Sequence, residues 1–350
     1  DYAVTGVQTC ALPIYEKIEK AKRNLLLLLH EYYSKPTGYY AFQLGQTYNV
    51  LEDFENAKHY TKLSINDPDL PEIYKYHAHV YLGTRALNEH DINLAFDSVY
   101  SAFKLDIQQP ILFLLASKVY FRQGRFTDSE TFAKRAWDLN QELILSKNKS
   151  TLDIILEENE LIYYGLNLSL RRGNKIYIKF YYDELKNLLA KNSESYLIQL
   201  SALSKIINQS PIDNKEQKVF AEFISQKNLD FCLSILSKYH SKEKVLNILS
   251  EIKEKFIDNP QFLNAYALSL SENKKPEEAE LIWEKLLSIN KYEPSSLFYL
   301  ISFYVSIKRF EKIPNVFKLI EKNFSNIPEV TSRLIIIKQK LGALNLINNN

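Results

Sequence analysis

The sequence predicts an all-α fold, a right-handed α-solenoid of antiparallel helix pairs, and three observations carry that prediction. The first is a recurring set of small and aromatic residues. Leu44-Gly45-x-x-Tyr48 precedes Asp53-Phe54-x-x-Ala57, and Leu82-Gly83 returns with Ala95 and Ala102. Tyr120, Gly124-Arg125-Phe126, Ser129, Ala133 and Ala136 repeat the set, as do Ala267, Ala279, Trp283 and Leu286. The second is composition: 46% hydrophobic residues with only 8 Gly and 11 Pro in 350 residues suit a continuous helical core, not a disordered or mostly β chain. The third is punctuation, because prolines fall where helices should start.

The elements follow in order. Tyr15–Tyr33 carries an apolar stripe of Ile18, Ala21, Leu25, Leu28 and Leu29 at helical spacing. Ser34-Lys35-Pro36 ends it, since the residue before proline leaves the α region. A first helix pair spans about 38–68, with Gly45 and Ala57 small where the paired helices approach most closely. Pro71 opens a second pair, about Glu72–Leu87 and Asp91–Leu105, and Pro110 opens a third that runs to about Asn140. Gln123-Gly124-Arg125 suits a glycine just past a helix end.

Between 141 and 258 the helical alternation persists while the set of small residues is lost. Leu161–Leu170 pairs with Ile176–Leu189 around Arg172-Gly173-Asn174. Ser195–Ile207 pairs with Glu216–Ile224, and Leu229–Tyr239 with Lys244–Phe256. Asn259-Pro260 restarts the pattern with pairs over 261–290 and 294–324, the second with Leu300, Tyr304, Phe310 and Phe317 in phase. Pro328 opens a closing helix, Glu329–Leu341, which Gly342 should stop, and Asn348–Asn350 should fray.

These residues and spacings resemble the tetratricopeptide repeat, whose unit of about 34 residues must stack with neighbours to bury its apolar face. The resemblance divides the chain into a linker helix at 15–36, three tetratricopeptide repeats at 37–140 and degenerate helical repeats at 141–258. Further tetratricopeptide-like repeats and a capping helix fill 259–342, and 343–350 is a tail.

Residues 1–14 stand apart. Asp1–Ile14 has one charged residue, whereas Tyr15–Arg23 is mostly charged residues and helix formers. Val4-Thr-Gly-Val-Gln-Thr-Cys-Ala-Leu-Pro-Ile14 resembles the conceptual translation of a sequencing adapter, so the segment is expected to be non-native and dispensable. The competing reading, a signal-peptide tail, lacks a basic start and an adequate apolar stretch. Met is absent, and the sequence reads as a fragment of something longer.

Charge and cysteine content exclude more than they identify. Lys and Arg number 44 against 42 Asp and Glu, a net charge of +2 that gives no general attraction to nucleic acid or anionic membrane. The longest aliphatic run, Leu25–Leu29, is far short of the ~20 residues of a spanning helix, so no membrane span is expected. Cys10 and Cys232 form no CxxC or Cys/His cluster, which points to a reducing, cytoplasmic setting and no structural zinc.

No constellation suggests catalysis, and no cofactor or metal is expected. His77 and His79, two apart on a helix, face different directions and cannot readily share an ion. Asp67-Pro68-Asp69 spells the DxD of nucleotide-sugar enzymes, but it falls at an inter-repeat turn. No phosphate-binding or nucleophile motif occurs. The 24 Tyr and 19 Phe could stack bases, yet they fall mostly at core positions of the repeat.

A binding site should instead lie on the concave face, lined by the first helix of each pair. By repeat phase that face holds Tyr39, Phe42, Gln46, Asn49, His77, Val80, Thr84, Leu114, Lys118 and Phe121. Its aromatic and polar mix suits an extended peptide or a partner helix. The chaperone-binding subclass of these repeats grips a terminal carboxylate with basic residues. Phe42 and Val80 stand where such residues would help, so that function is not carried over.

A second resemblance concerns Lys20-Ala-Lys-Arg23-Asn24-Leu-Leu-Leu-Leu28, then Pro36 and Tyr40-x-x-Gln43-Leu44-Gly45-Gln46-x-Tyr48. This order is similar to the segment that follows the catalytic domain in repeat-bearing bacterial family 2 glycosyltransferases, and it covers about 15–140. It implies that the parent was such an enzyme and that this array positions an acceptor, a partner or its own missing catalytic domain. None of that family's active-site residues maps onto this chain. The primary expectation is a non-catalytic scaffold for protein–protein interaction; a repeat-containing transcriptional or secretion regulator is the third reading.

Overall fold

The computed structural model describes residues 14–148, 150–192, 196–289, 293–325 and 327–344. The reading of 1–14 therefore lies outside the described residues but for Ile14, which begins the first helix, and the terminal asparagines also lie outside them. The described residues are all-α, without a strand, and fall into two compact units that meet in sequence at Arg172 and Gly173.

Unit 1 contains α1 (Ile14–Ser34), α2 (Gly38–Val50), α3 (Phe54–Ile65), α4 (Glu72–Asn88), α5 (Ile92–Phe103), α6 (Pro110–Arg122), α7 (Phe126–Leu145) and α8 (Glu158–Arg172). Each helix packs on the next, while α2 also touches α4 and α4 touches α6. That double adjacency is what a stack of pairs requires, with the first helices in one row. Tyr76, Ala95, Val99, Ala102, Leu112, Leu115 and Val119 form the interior between the second and third pairs.

Unit 2 contains α9 (Lys175–Asn192), α10 (Tyr196–Ile207), α11 (Asn214–Phe223), α12 (Leu229–Leu236), α13 (Lys242–Ile252), α14 (Pro260–Glu272), α15 (Pro276–Ile289), α16 (Pro294–Ser306), α17 (Ile313–Phe324) and α18 (Pro328–Ala343). Here α10 packs on α9, α11 and α12, α13 on α11 and α14, and α14 on α15 and α16. Trp283, Phe220, Phe231 and Phe262 are among its fully buried side chains. Gly342 sits buried inside the last turn of α18 and does not end it; the helix continues to Ala343.

The crossing within a pair is set by two positions twelve residues apart: Gly45 and Ala57, Gly83 and Ala95, Ser117 and Ser129, Ala267 and Ala279. A Cβ on Gly45 would lie 2.5 Å from Thr61 Oγ1 and 3.3 Å from the Ala57 carbonyl oxygen, so only hydrogen fits there. The last pair differs. Ile301 and Ile313 fill these positions, both buried, and a 3₁₀ turn at Phe310–Lys312 leads into α17.

Six of the turns inside pairs share one conformation whatever their sequence. Glu52, His90, Gly124, Gln209, Lys274 and Lys308 all have φ between 59° and 74°. In each case the next residue donates its N–H to the carbonyl four residues before the left-handed one, as Asp53 does to Tyr48 at 3.0 Å and Lys275 to Leu270 at 3.0 Å. This is the Schellman closure that glycine usually occupies, and of these six residues only Gly124 is a glycine.

Candidate functional site

The first-helix row of unit 1 runs through α2, α4, α6 and α8. The last joins through side chains: Ser117 Oγ lies 3.1 Å from the Tyr164 hydroxyl, and Lys118 Nζ lies 3.4 Å from Glu160 Oε1. Helices start where local chemistry caps them. Thr37 Oγ1 accepts from Tyr40 N, and Asp53 and Asp91 cap the second helices in the same way. Pro110 opens α6 at a position where its missing N–H costs nothing.

The ten residues expected along the row separate by burial. Tyr39 and Thr84 are exposed, and Gln46, Asn49, Lys118 and Phe121 are half-buried. Phe42, Val80 and Leu114 turn inward, with exposures of 7%, 7% and 2%, and serve as packing between helices. Phe42 meets the Tyr74 ring at 5.1 Å, and Tyr39 meets the same ring edge-on at 5.5 Å.

His77 is covered by its own chain. The segment 150–157 returns across the start of α6, where Gln109 Nε2 donates to the Leu152 carbonyl at 3.3 Å and Gln109 Oε1 accepts from Ile154 N at 3.4 Å. Asn140 fixes the other end, donating to the Leu156 carbonyl and accepting from Leu156 N at 2.8 Å. Burial under this strap lowers the His77 imidazole's affinity for a proton, although the Leu152 backbone and the Asp153 carboxylate pull in the opposite direction. His79, on another face, is also lowered by burial and lines a cleft of about 290 Å³ with Lys62, Asp97 and Ser101.

Asp67 and Asp69 stand in the turn between α3 and α4. Hydrogen bonds from Gly38 N and Asp69 N hold the Asp67 carboxyl below the ordinary carboxylate range. Among the described residues, no three His, Cys, Asp or Glu side chains gather as a metal site would need, and no helix is long and apolar enough to cross a membrane.

At the far end of the row, sequence reasoning named Lys118 and Phe121 but missed Arg122, Tyr164 and Arg171. Arg171 lies over the Phe121 ring at 5.6 Å, and Lys118 lies over the Tyr164 ring at 5.7 Å. Arg122, one turn beyond Lys118, acts with Arg171 on the Tyr164 hydroxyl. That hydroxyl is nonetheless raised in pKa, because its burial outweighs the Ser117, Ser129 and arginine contributions. The four-residue step from Lys118 to Arg122 could have signalled this patch; Arg171 lies in a helix whose buried Gly165 has no small partner twelve residues on, where Tyr177 stands.

No protein-family model matches the chain, and no curated protein matches its sequence. Solved structures with a similar helical course include the APC/C hetero-tetramer Cut9–Hcn1, at 15% identity and a TM-score of 0.42, covering 94% of this chain and 68% of that one. The P58(IPK) TPR domain matches at 11% identity and a TM-score of 0.29, covering 94% and 98%. Similarity at this level leaves the fold to be argued from the helices themselves.

Proposed function

We propose that the chain is a non-catalytic, cytoplasmic repeat scaffold that holds a polypeptide along the first-helix row of unit 1. The observation that carries this reading is the row itself: Tyr39, Gln46, Asn49, Thr84, Lys118 and Phe121 stay at least partly accessible on consecutive first helices. Aromatic faces supply contact area at small entropic cost, and amide and hydroxyl groups bond to a peptide backbone.

Peptide-display selection on the whole chain tests the reading. Enriched peptides should lose binding to a Tyr39→Ala/Asn49→Ala protein and keep binding to Lys62→Ala/Tyr100→Ala protein, altered on second helices. The reverse ranking would move the site off the row.

A second reading rests on the order from Lys20 through Leu28 to Gln43-Leu44-Gly45. In it the array is the accessory repeat region of a bacterial family 2 glycosyltransferase, and the partner is the parent's own catalytic domain. Coding sequence upstream of Tyr15 in the source genome decides it: a sugar-transferase domain supports this reading, and a DNA-binding domain or lipoprotein signal eliminates it.

A further inference from the structure

We infer that the α6–α8 end of the row is built for an acidic peptide segment carrying an aromatic side chain, an inference that rests on the groove reading above. Elsewhere in unit 1, four of the five arginines, Arg85, Arg125, Arg135 and Arg172, have a carboxylate within salt-bridge range, the exception being Arg23 on α1. Arg122 and Arg171 have none among the described residues, although both are exposed and the charge of each acts on the Tyr164 hydroxyl. Of the acids beside this patch, Glu160 is engaged by Lys118 and Glu130 by Arg172. Two guanidinium charges are therefore left without a counter-charge at one place on the row.

Their setting supplies the rest of the recognition. The Phe121 ring supports Arg171 from below and packs edge-on against Phe126 at 5.4 Å, with Phe126 39% exposed. Arg171 Nε is also directed by Asn167 Oδ1 at 3.3 Å. A guanidinium held on a ring keeps its remaining N–H groups pointing outward as a fork for a carboxylate. The exposed Phe126 edge offers a neighbouring aromatic side chain a T-shaped contact. Charge complementarity thus selects Asp and Glu, and the rings select an aromatic residue beside them. Nucleic acid is disfavoured, because no extended basic stripe continues beyond this patch along Gln46, Asn49 and Thr84.

A random copolymer of glutamate and tyrosine, fluorescently labelled, is the probe. It should bind the whole chain saturably at about 50 mM salt and weaken as added salt shortens the screening length. Arg122→Gln/Arg171→Gln should reduce affinity about three- to tenfold, the loss expected for two exposed charge pairs. Lys62→Gln/Lys104→Gln, which removes equal charge from second-helix surfaces, should leave affinity unchanged. Unaltered melting curves keep folding out of the comparison. No binding to the native chain, or equal loss in both double variants, overturns the inference. If the arginine variant binds normally but Tyr39→Ala/Asn49→Ala does not, the groove reading survives without the acidic preference; normal binding by both removes both.

Discussion

Ser117 and Ser129 clasp α6 and α7 by exchange: the Ser117 hydroxyl donates to the Ser129 carbonyl at 2.6 Å, and the Ser129 hydroxyl donates to the Ser117 carbonyl at 2.8 Å. Both side chains are fully buried, and the Tyr164 hydroxyl closes the group at 3.1 Å. The α2–α3, α4–α5 and α14–α15 pairs place glycine or alanine at the same crossing, so this one replaces close approach with a satisfied polar contact.

The clasp makes a double-mutant prediction. Ser117→Ala leaves a buried hydroxyl of Tyr164 short of a partner and should cost about 1–3 kcal/mol. The Ser117→Ala/Ser129→Ala protein should lose clearly less than the sum of the single changes, because it recreates the Ala267/Ala279 crossing. Urea melts measure this; strict additivity would show that the hydroxyls act independently.

Gly45 should be the least replaceable residue of the first pair. Gly45→Leu overpacks against Thr61 and Ala57 and should cost about 1–3 kcal/mol or more. Thr84→Ala and His79→Ala should each stay near 0.5 kcal/mol, roughly the range of surface changes. Denaturant midpoints in the opposite order would mean that the repeat phase is misplaced.

The left-handed turns predict stabilising glycines. Lys274→Gly and Lys308→Gly relieve a strained backbone and should each raise stability by about 0.5–1 kcal/mol. Gly124→Ala should lower it by a similar amount, and for the same reason alone: a Cβ there meets nothing within 4 Å. Differential scanning calorimetry of the three variants provides the check.

Acid should unfold unit 2 partly through Glu216. Burial pushes this carboxyl up, but the Lys205 ammonium at 2.7 Å, the Asp213 N–H and the Ser201 hydroxyl outweigh it and leave the pKa lowered. A carboxylate with a lowered folded pKa stabilises fully above its unfolded value, about 4.3, and that stability disappears as pH falls through the folded value. Glu216→Gln should therefore melt lower at neutral pH and show a shallower decline into acid. Equal slopes in both proteins would remove Glu216 from the account.

Cys232 should behave as an inert core thiol. It is completely buried in α12, and burial raises its pKa far above the ordinary thiol value. A thiol reagent should modify it only at the rate of unfolding; rapid labelling under native conditions would contradict its placement.

Helix order was readable because its signals are local. Proline at the first helical position marked α6, α14, α16 and α18, and small residues twelve apart marked the crossings. What escaped depends on distant partners. Nothing in Glu52, His90, Gln209, Lys274 or Lys308 announces a left-handed conformation, because two backbone hydrogen bonds impose it. Phase placed Phe42, Val80 and Leu114 on the right helices but could not tell inward from outward side chains. The strap over His77 is held by Gln109 and Asn140, polar residues that read as ordinary surface until the chain returns to meet them.

The left-handed residue also acts as a ruler. It falls seven residues after the first crossing position and five before the second, from Gly45–Glu52–Ala57 to Ile301–Lys308–Ile313. Sequence can drift at the turn, and even at the crossing, while this count keeps both helices in register. A single inserted residue between Gly45 and Glu52 would rotate one segment by about 100° relative to the other. The small residue would then face solvent and its neighbour would enter the crossing. The array is therefore tolerant of substitution and intolerant of length change, and single-residue insertions inside a pair should be far more damaging than equal insertions between pairs.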